Sequence, residues 1–179
     1  MKPREFDARR LDVRAFAKAS GRLSGHWPMS SLERLRDQLA AVPVDAQVGW
    51  QVDGREQPLA GGAAQTWLHL VADAVLPLAC QRCLEPLAQS VHVDRKYLFV
   101  RDEAEAARLD GELEDDVLVA THELDVQALL EDELLLDLPL VPRHEHCSRP
   151  QSADAGAAVP VDDPVARPFE ALQALRRGN

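Results

Sequence analysis

Two cysteines separated by two residues, Cys80 and Cys83, are the side chains of this chain best suited to chemistry. The third and last cysteine, Cys147, lies far downstream and directly follows His146. Two thiolates at this spacing can bind one small ion, and a later His-Cys pair can complete a shell of four ligands. We therefore predict one structural zinc ion bound by Cys80, Cys83, His146 and Cys147, with His144 as the alternate nitrogen ligand.

Two other interpretations of the cysteines remain open. The thiols could be unliganded, since free cysteine is common in protein cores, or Cys80 and Cys83 could form a redox dithiol. The redox interpretation is weaker because such motifs lie where a helix begins, whereas Pro77 and the pattern around it indicate a strand. A disulfide framework is disfavoured because the number of cysteines, 3 in 179 residues, is odd and low.

The segments on both sides of the cysteines show the clearest β-strand pattern of the chain. From Leu68 to Cys80 the even-numbered positions are apolar, and after the cysteines apolar residues alternate with polar ones at Val91, Val93, Tyr97 and Phe99. Such alternation indicates one buried and one solvent-exposed face. We predict a long antiparallel hairpin with the two cysteines at its tip, where a metal ion can hold a turn that lacks core contacts.

Weaker signals before the hairpin predict further elements. A helix is expected to open between Met29 and Glu33, with Ser30 or Ser31 as its cap, and to end at Pro43. Residues 48–52 predict a strand, and the dipeptide Asp53-Gly54 predicts a turn after it. Residues 1–28 look extended or irregular.

After the hairpin, residues 102–116 are acidic and are expected to form a mobile connection with a short helix over 102–108, followed by a strand at 116–119. Asp125 is a good cap for a predicted helix over 126–138, which Pro139 ends. Glu133 falls within or beside the apolar stripe of this helix. Because Glu is rarely buried, we interpret it as an imperfection of the stripe rather than as a buried, paired carboxylate.

These signals together predict an α+β fold with an antiparallel sheet, a long hairpin, two or three helices and a flexible C-terminal tail. Residues 1–147 are expected to form a single α+β domain. Residues 148–168 are rich in Ala, Pro, Ser and Asp and predict a disordered linker. Residues 169–179 predict a short amphipathic C-terminal peptide, which either docks on its own domain or binds a partner.

The net charge of −10 is unevenly distributed along the sequence. Residues 1–101 contain fourteen Lys/Arg and eleven Asp/Glu, whereas residues 102–137 contain fourteen acids and a single Arg108. A basic segment can contact phosphates, and an acidic one repels them or suits a basic protein partner, although either run could be a solvated face. If these phosphates are those of RNA, the predicted contacts are Arg82, Arg95 and Lys96.

Catalytic motifs are not recognisable in this sequence. It contains no P-loop, no G-x-G-x-x-G, no H-E-x-x-H and no evident nucleophile–base set, so no catalytic residue is predicted. A zinc ion with four protein ligands would also lack an open position for water. The first residues lack the apolar stretch of a secretory signal, and no segment approaches the length of a membrane span, so a cytoplasmic location is expected.

Three motifs in a fixed order carry a resemblance to a known family. The first runs from Leu78 to Leu87 around the cysteine pair, and the second runs from Glu131 to Pro142 and is followed by His146-Cys147. The third, from Arg167 to Leu175, is similar to an Asn-Pro-Phe-containing tail, with Arg167 in place of the Asn. The chain thus resembles the bacterial YceD family, also called the large ribosomal RNA subunit accumulation protein family.

The resemblance implies a non-enzymatic ribosome-biogenesis factor needed for the synthesis, processing or accumulation of the 23S rRNA of the large ribosomal subunit. Its implied partners are 23S rRNA or its precursor, contacted directly or through ribosomal proteins. The alternative hypothesis belongs to a different class and is a zinc- or thiol-dependent enzyme that acts on a small substrate.

Overall fold

A five-stranded sheet, in which the strands lie in their order along the chain, forms the centre of the protein. The structure is a computed structural model that describes residues 5–59 and 62–147, all of which belong to one compact unit. The predicted linker 148–168 and the predicted peptide 169–179 lie outside these described residues. The elements are α1 (Val13–Lys18), β1 (Arg22–Pro28), α2 (Glu33–Arg36), β2 (Gln47–Gln57), β3 (Gln65–Ala79), β4 (Pro86–Val100), α3 (Glu103–Asp110), β5 (Asp116–Val119) and α4 (Val126–Leu136).

The predicted long hairpin is formed by β3 and β4, each of 15 residues. The two strands pair antiparallel from Thr66 opposite Phe99 to Ala79 opposite Pro86, so the cysteine pair lies in the turn at the tip. The alternating positions of β3 are buried as predicted, because even-numbered side chains face the helices and odd-numbered ones face the other side. The α+β fold with its long hairpin is therefore confirmed.

The sheet differs from the prediction at its last strand. β1 to β4 pair antiparallel, but β5 pairs parallel to the end of β4, after a connection that contains α3. A parallel neighbour requires such a crossover, and α3 supplies it. The expected mobile connection over 102–116 therefore contains an ordered helix, which Asp102 caps by accepting a hydrogen bond from the backbone N–H of Glu105 at 2.9 Å.

The N-terminal region is more regular than the sequence indicated. Residues 13–18 form α1, and the side chain of Asp12 caps it by accepting from the N–H of Ala15 at 3.0 Å. The prediction of extended or irregular structure was wrong for α1, because a helix of six residues is too short to show a periodic stripe, whereas β1 is extended as predicted. Four α-helices are present in the described ranges, where two or three were expected. None of these helices is long and apolar enough to cross a membrane.

The predicted turn at Asp53-Gly54 was also wrong, since both residues lie inside β2 and pair with β3. Gly54 instead allows α1 to pack closely against β2. A Cβ atom at Gly54 would lie 2.6 Å from the ring of Phe16 and 3.0 Å from the Cα of Ala17. The dipeptide is a common turn signal, and here packing between a helix and a strand uses the same glycine.

The core lies mainly on one face of the sheet. Side chains of α1, the 3-10 turn Met29–Ser31, α2 and α4 pack there against β2, β3 and β4, in one cluster of buried residues. A smaller cluster contains Leu98 and Val100 of β4 with Ala106 of α3. Because Leu98 and Val100 alternate with Tyr97 and Phe99 of the main core, α3 covers the opposite face of the sheet.

Two buried carboxylates of α4 anchor this helix to the rest of the domain. Glu131 accepts hydrogen bonds from the backbone N–H groups of Arg34 at 2.7 Å and Leu35 at 3.1 Å, so it satisfies donors at the start of α2. The expected caps Ser30 and Ser31 do not do this, because α2 begins after Leu32 and has no side-chain cap of its own.

Glu133 is the second buried carboxylate of α4, and its side chain accepts from Nε of Arg95 at 3.2 Å. Only 7% of Glu133 is exposed, so it is a buried, paired acid and our preferred interpretation of an imperfect stripe was wrong. Burial and this neighbouring carboxylate raise the pKa of Tyr97. By contrast, the N-cap of α4 is confirmed, since Asp125 accepts from the N–H groups of Gln127 and Ala128.

Candidate metal centre

The turn at the tip of the hairpin folds around Cys80. The N–H of Leu84 donates to the carbonyl of Cys80 at 2.8 Å, and the N–H of Cys80 donates to the carbonyl of Glu85 at 2.9 Å. Leu84 has a φ of 65°, a left-handed conformation that non-glycine residues rarely adopt. This tight turn brings the Cys83 side chain back beside that of Cys80.

The segment after α4 forms the other half of the site. It contains Pro139 and Pro142, and the N–H of Gln81 donates to the carbonyl of Pro142 at 2.9 Å. Nδ1 of His144 lies 3.5 Å from Sγ of Cys83, and Sγ of Cys147 lies 3.8 Å from Sγ of Cys80. Two segments about sixty residues apart in the sequence thus meet at the hairpin tip through sulfur and nitrogen donors.

Four potential metal ligands converge in this arrangement. One donor atom from each of Cys80, Cys83, His144 and Cys147 lies within 4.8 Å of the others. His146, the ligand preferred in the sequence analysis, is not in this group and is exposed, so the structure favours the alternate, His144. The sequence could not decide between the two histidines, because only one residue separates them. A turn at 145–146 determines which ring faces the sulfurs.

The His144 ring is held by both of its nitrogens. While Nδ1 faces Cys83, Nε2 lies 3.2 Å from the carbonyl oxygen of Pro86. A histidine that binds metal through one nitrogen usually donates its other ring N–H to a carbonyl or carboxylate, which orients the ring. The Pro86 carbonyl provides such an outer contact, so the geometry of His144 fits a metal ligand.

The electrostatics of the cluster favour a thiolate at Cys80. Burial opposes ionisation of this sulfur, but the backbone N–H groups of Arg82, Cys83 and His144 together lower its pKa to about 5. The hydrogen bond with Cys83, burial and the neighbouring Cys80 raise the pKa of Cys147 to about 11. The raised pKa favours the protonated thiol at Cys147, whereas a bound cation would favour its thiolate, since a coordinated thiol is deprotonated.

The donor set fits zinc. Three sulfurs and one imidazole nitrogen form one of the usual shells of structural zinc sites, which are closed and tetrahedral. Such an ion would join the hairpin tip to the segment after α4, and it would leave no position for a reacting water. The Cys80 sulfur, whose pKa is lowered, is also fully buried.

The three predicted RNA contacts do not share one surface. Arg82 is exposed at the hairpin tip, whereas Arg95 lies on the helix-facing side of β4 and pairs with Glu133. Lys96 follows on the opposite side of β4, where it lines a cavity with Arg55, Trp67 and His69. Sequence neighbours in a strand point to opposite faces, so Arg95 and Lys96 cannot act together.

In the folded chain, some of the basic residues and the acidic segment contact each other. Arginines of the N-terminal region pair with acids of the 102–137 segment: Arg9 with Asp125, Arg10 with Glu123, and Arg34 with Glu131 and Asp132. Three of the arginines in residues 5–36 are therefore paired with acids of the 102–137 segment. One exposed arginine that the sequence analysis missed is Arg143, which lines a groove beside His144 together with Arg82. The sequence offered one signal for Arg143, which is its position directly before the candidate ligand His144.

Comparisons with known proteins agree with the motifs. The family model described as "Large ribosomal RNA subunit accumulation protein YceD" matches residues 68–176, a range that contains both halves of the cysteine cluster. A protein of Haemophilus influenzae with the same description is 34% identical over 127 residues, which is 69% of this chain and 68% of that protein. No solved structure matches the chain. The chain therefore belongs to the family of the large ribosomal RNA subunit accumulation protein YceD.

Proposed function

We propose that this protein is a ribosome-biogenesis factor that supports the accumulation of large-subunit ribosomal RNA in the cytoplasm. The observation that carries this proposal is the family match over residues 68–176, since the family is described by that role. In finer detail, we propose that the RNA is 23S rRNA or its precursor. The protein acts by binding rather than by catalysis, either on the RNA directly or through ribosomal proteins.

A structural zinc ion is the cofactor that we propose. The support is the convergence of Cys80, Cys83, His144 and Cys147 and the hydrogen bond that orients the His144 ring. An enzyme that uses zinc or a thiol on a small substrate, the alternative hypothesis, would require an open metal position or an accessible thiolate. The complete donor set and the burial of Cys80 argue against that alternative.

Of the predicted RNA contacts, Arg82 and Lys96 are retained in this proposal. Both side chains are exposed, and neither has an ion pair with a described residue. Arg95 is better explained as the partner of the buried Glu133. Removing the Glu133 charge would leave Arg95 without its acid, so we assign Arg95 a role in stability.

A complementation experiment tests the proposed function. A strain that lacks the gene is supplied with the wild-type gene or an empty vector, and 23S rRNA is measured relative to 16S rRNA. We expect the ratio to fall without the gene and to recover with it. An unchanged ratio, or an equal fall of both RNAs, would contradict a role specific to the large subunit.

A further inference from the structure

The two halves of the metal centre are joined residue by residue. Gln81 is hydrogen bonded to Pro142 through their backbones, and Cys83 contacts His144 through its sulfur. Arg82 lies between Gln81 and Cys83, and Arg143 lies between Pro142 and His144. The two arginines are thus the middle residues of two three-residue stretches that are connected at both ends.

Arg82 and Arg143 also line one groove, together with Gln89 and Glu145. Both arginines are exposed, and neither guanidinium has a hydrogen bond or ion pair with any residue in the described ranges. Most other arginines there have an acidic partner, among them Arg9, Arg10, Arg22, Arg34, Arg95 and Arg108. In a chain with 30 acids and 20 Lys/Arg, two unpaired guanidiniums on one groove are unusual.

The charge of this groove is suited to an anion. Two guanidiniums and one carboxylate, that of Glu145, leave one net positive charge among its lining residues. Like charges held in one groove repel each other, and a bound anion relieves that repulsion. Guanidinium groups match the geometry of phosphate oxygens and form paired hydrogen bonds with them.

We propose that Arg82 and Arg143 form a phosphate-binding site for the RNA backbone and that the metal centre holds the two arginines together. This inference rests on the proposed function for the choice of RNA as the source of the phosphate. The metal would contribute because its ligands lie next to both arginines: Cys80 and Cys83 lie on either side of Arg82, and His144 directly follows Arg143. An ion bound by all four ligands fixes the backbone on both sides of the groove.

Binding of a fluorescein-labelled, single-stranded RNA of twelve mixed-sequence nucleotides to the full-length protein tests the site. Anisotropy is recorded over a series of salt concentrations for wild type, R82Q, R143Q and the double variant. R108Q is the matched control, because it changes the net charge equally but removes an arginine of α3 that is paired with Glu112. E145Q is the opposite variant, since it removes the negative charge of the groove.

We expect each of R82Q and R143Q to weaken binding about twofold to fivefold at 0.1 M salt. The slope of log affinity against log salt should fall by about 0.7 for each arginine that contacts a phosphate of single-stranded RNA. E145Q should tighten binding, and R108Q should leave the slope unchanged. Removal of zinc with a chelator should reduce the slope to that of the double variant, while circular dichroism shows that the sheet is retained.

Three results would overturn the proposal. The first is a loss in R82Q and R143Q no larger than in R108Q, and the second is an unchanged slope after removal of zinc from protein that remains folded. The third is stronger binding of a twelve-residue polyglutamate peptide than of RNA, which would indicate an acidic protein partner. The complementation experiment is independent: a normal 23S ratio in the deletion strain contradicts the proposed function, but it leaves the measured phosphate site in place.

Discussion

The two ends of the segment that begins with α4 are attached to the domain by different chemistry. Along the helix, Glu131 and Glu133 are buried and bind groups of α2 and β4 that the protein itself provides. Beyond the helix, residues 139–147 reach the exposed hairpin tip, where the partners are three thiols and an imidazole. The first attachment consists of hydrogen bonds between groups of the protein, whereas the second brings together four side chains that could bind a metal ion.

This difference follows from the surroundings of the two regions. The helix packs on the main core, where burial strengthens each charged hydrogen bond and makes an unpaired acid costly. The hairpin tip extends past the core, and apolar side chains there are exposed, such as Leu84 at 77% and Leu140 at 100%. A tip without a core of its own needs another source of order, and a metal ion can provide it.

The largest expected effect concerns metal content, and it sharpens the distinction between the two regions. Protein purified without a histidine tag should contain about one zinc ion per chain, as a closed four-ligand site binds one ion. C83S and H144A should lose most of it by elemental analysis, because each removes one of four ligands. H146A is the matched control and should keep its zinc. Retention of zinc in H144A with loss in H146A would restore the ligand set first predicted from the sequence.

The next effect tests the attachment of α4 at the core. E131Q should lower the free energy of unfolding by about 1.5–3 kcal/mol, since it weakens charged hydrogen bonds to buried N–H groups of α2. The midpoint of urea unfolding measures this, with an unchanged slope. The neighbouring D132N should cost less than about 1 kcal/mol, because Asp132 is exposed and its pair with Arg34 is at the surface. Equal losses in both variants would mean that Glu131 is not a special anchor.

The third prediction concerns the packing of α1 against β2, away from the hairpin tip. G54A should lower the free energy of unfolding by about 1–3 kcal/mol, because the added methyl group would overlap Phe16 and the backbone of Ala17. G111A is the control, since a Cβ there meets nothing within 4 Å. We expect its stability to stay within about 0.5 kcal/mol of wild type in the same urea experiment. A neutral G54A would show that α1 can move away from β2.

The smallest expected effect concerns His92, an exposed residue of β4. Nδ1 of the protonated His92 ring donates a hydrogen bond to the carboxylate of Asp73 at 2.7 Å, and this bond and the charges of Asp73, Asp94 and Asp137 raise the pKa of His92. Because the folded pKa is raised, its contribution to stability is full below about pH 6.5, the ordinary value of histidine, and is lost as pH rises through the folded value.

NMR titration of the His92 ring should therefore give a midpoint above the ordinary value, and D73N should return it towards that value. The side chain is largely exposed, so the effect on stability is small. A midpoint in wild type equal to that in D73N would show that the ion pair does not form in solution.

Much of the fold could be predicted because its signals are local. The alternation from Leu68 to Cys80 specifies a strand with one buried face, and Asp125 caps α4 within three residues of itself. The cysteine pair lies at the hairpin tip because the two strands on either side have equal length and pair from end to end. The predictions that failed rest on signals that are ambiguous locally. Asp53-Gly54 is typical of a turn, but here Gly54 lies inside a strand and leaves room for Phe16.

The sequence by itself determined the hairpin, the position of the two cysteines at its tip, the cap of α4 and the family. Only the tertiary structure decided that His144 rather than His146 faces the sulfurs, that Glu131 caps α2, and that Arg143 shares a groove with Arg82. The physical reason is distance along the chain. Periodicity and capping act over a few residues, whereas these contacts join segments about sixty to one hundred residues apart and depend on how the helices lie on the sheet.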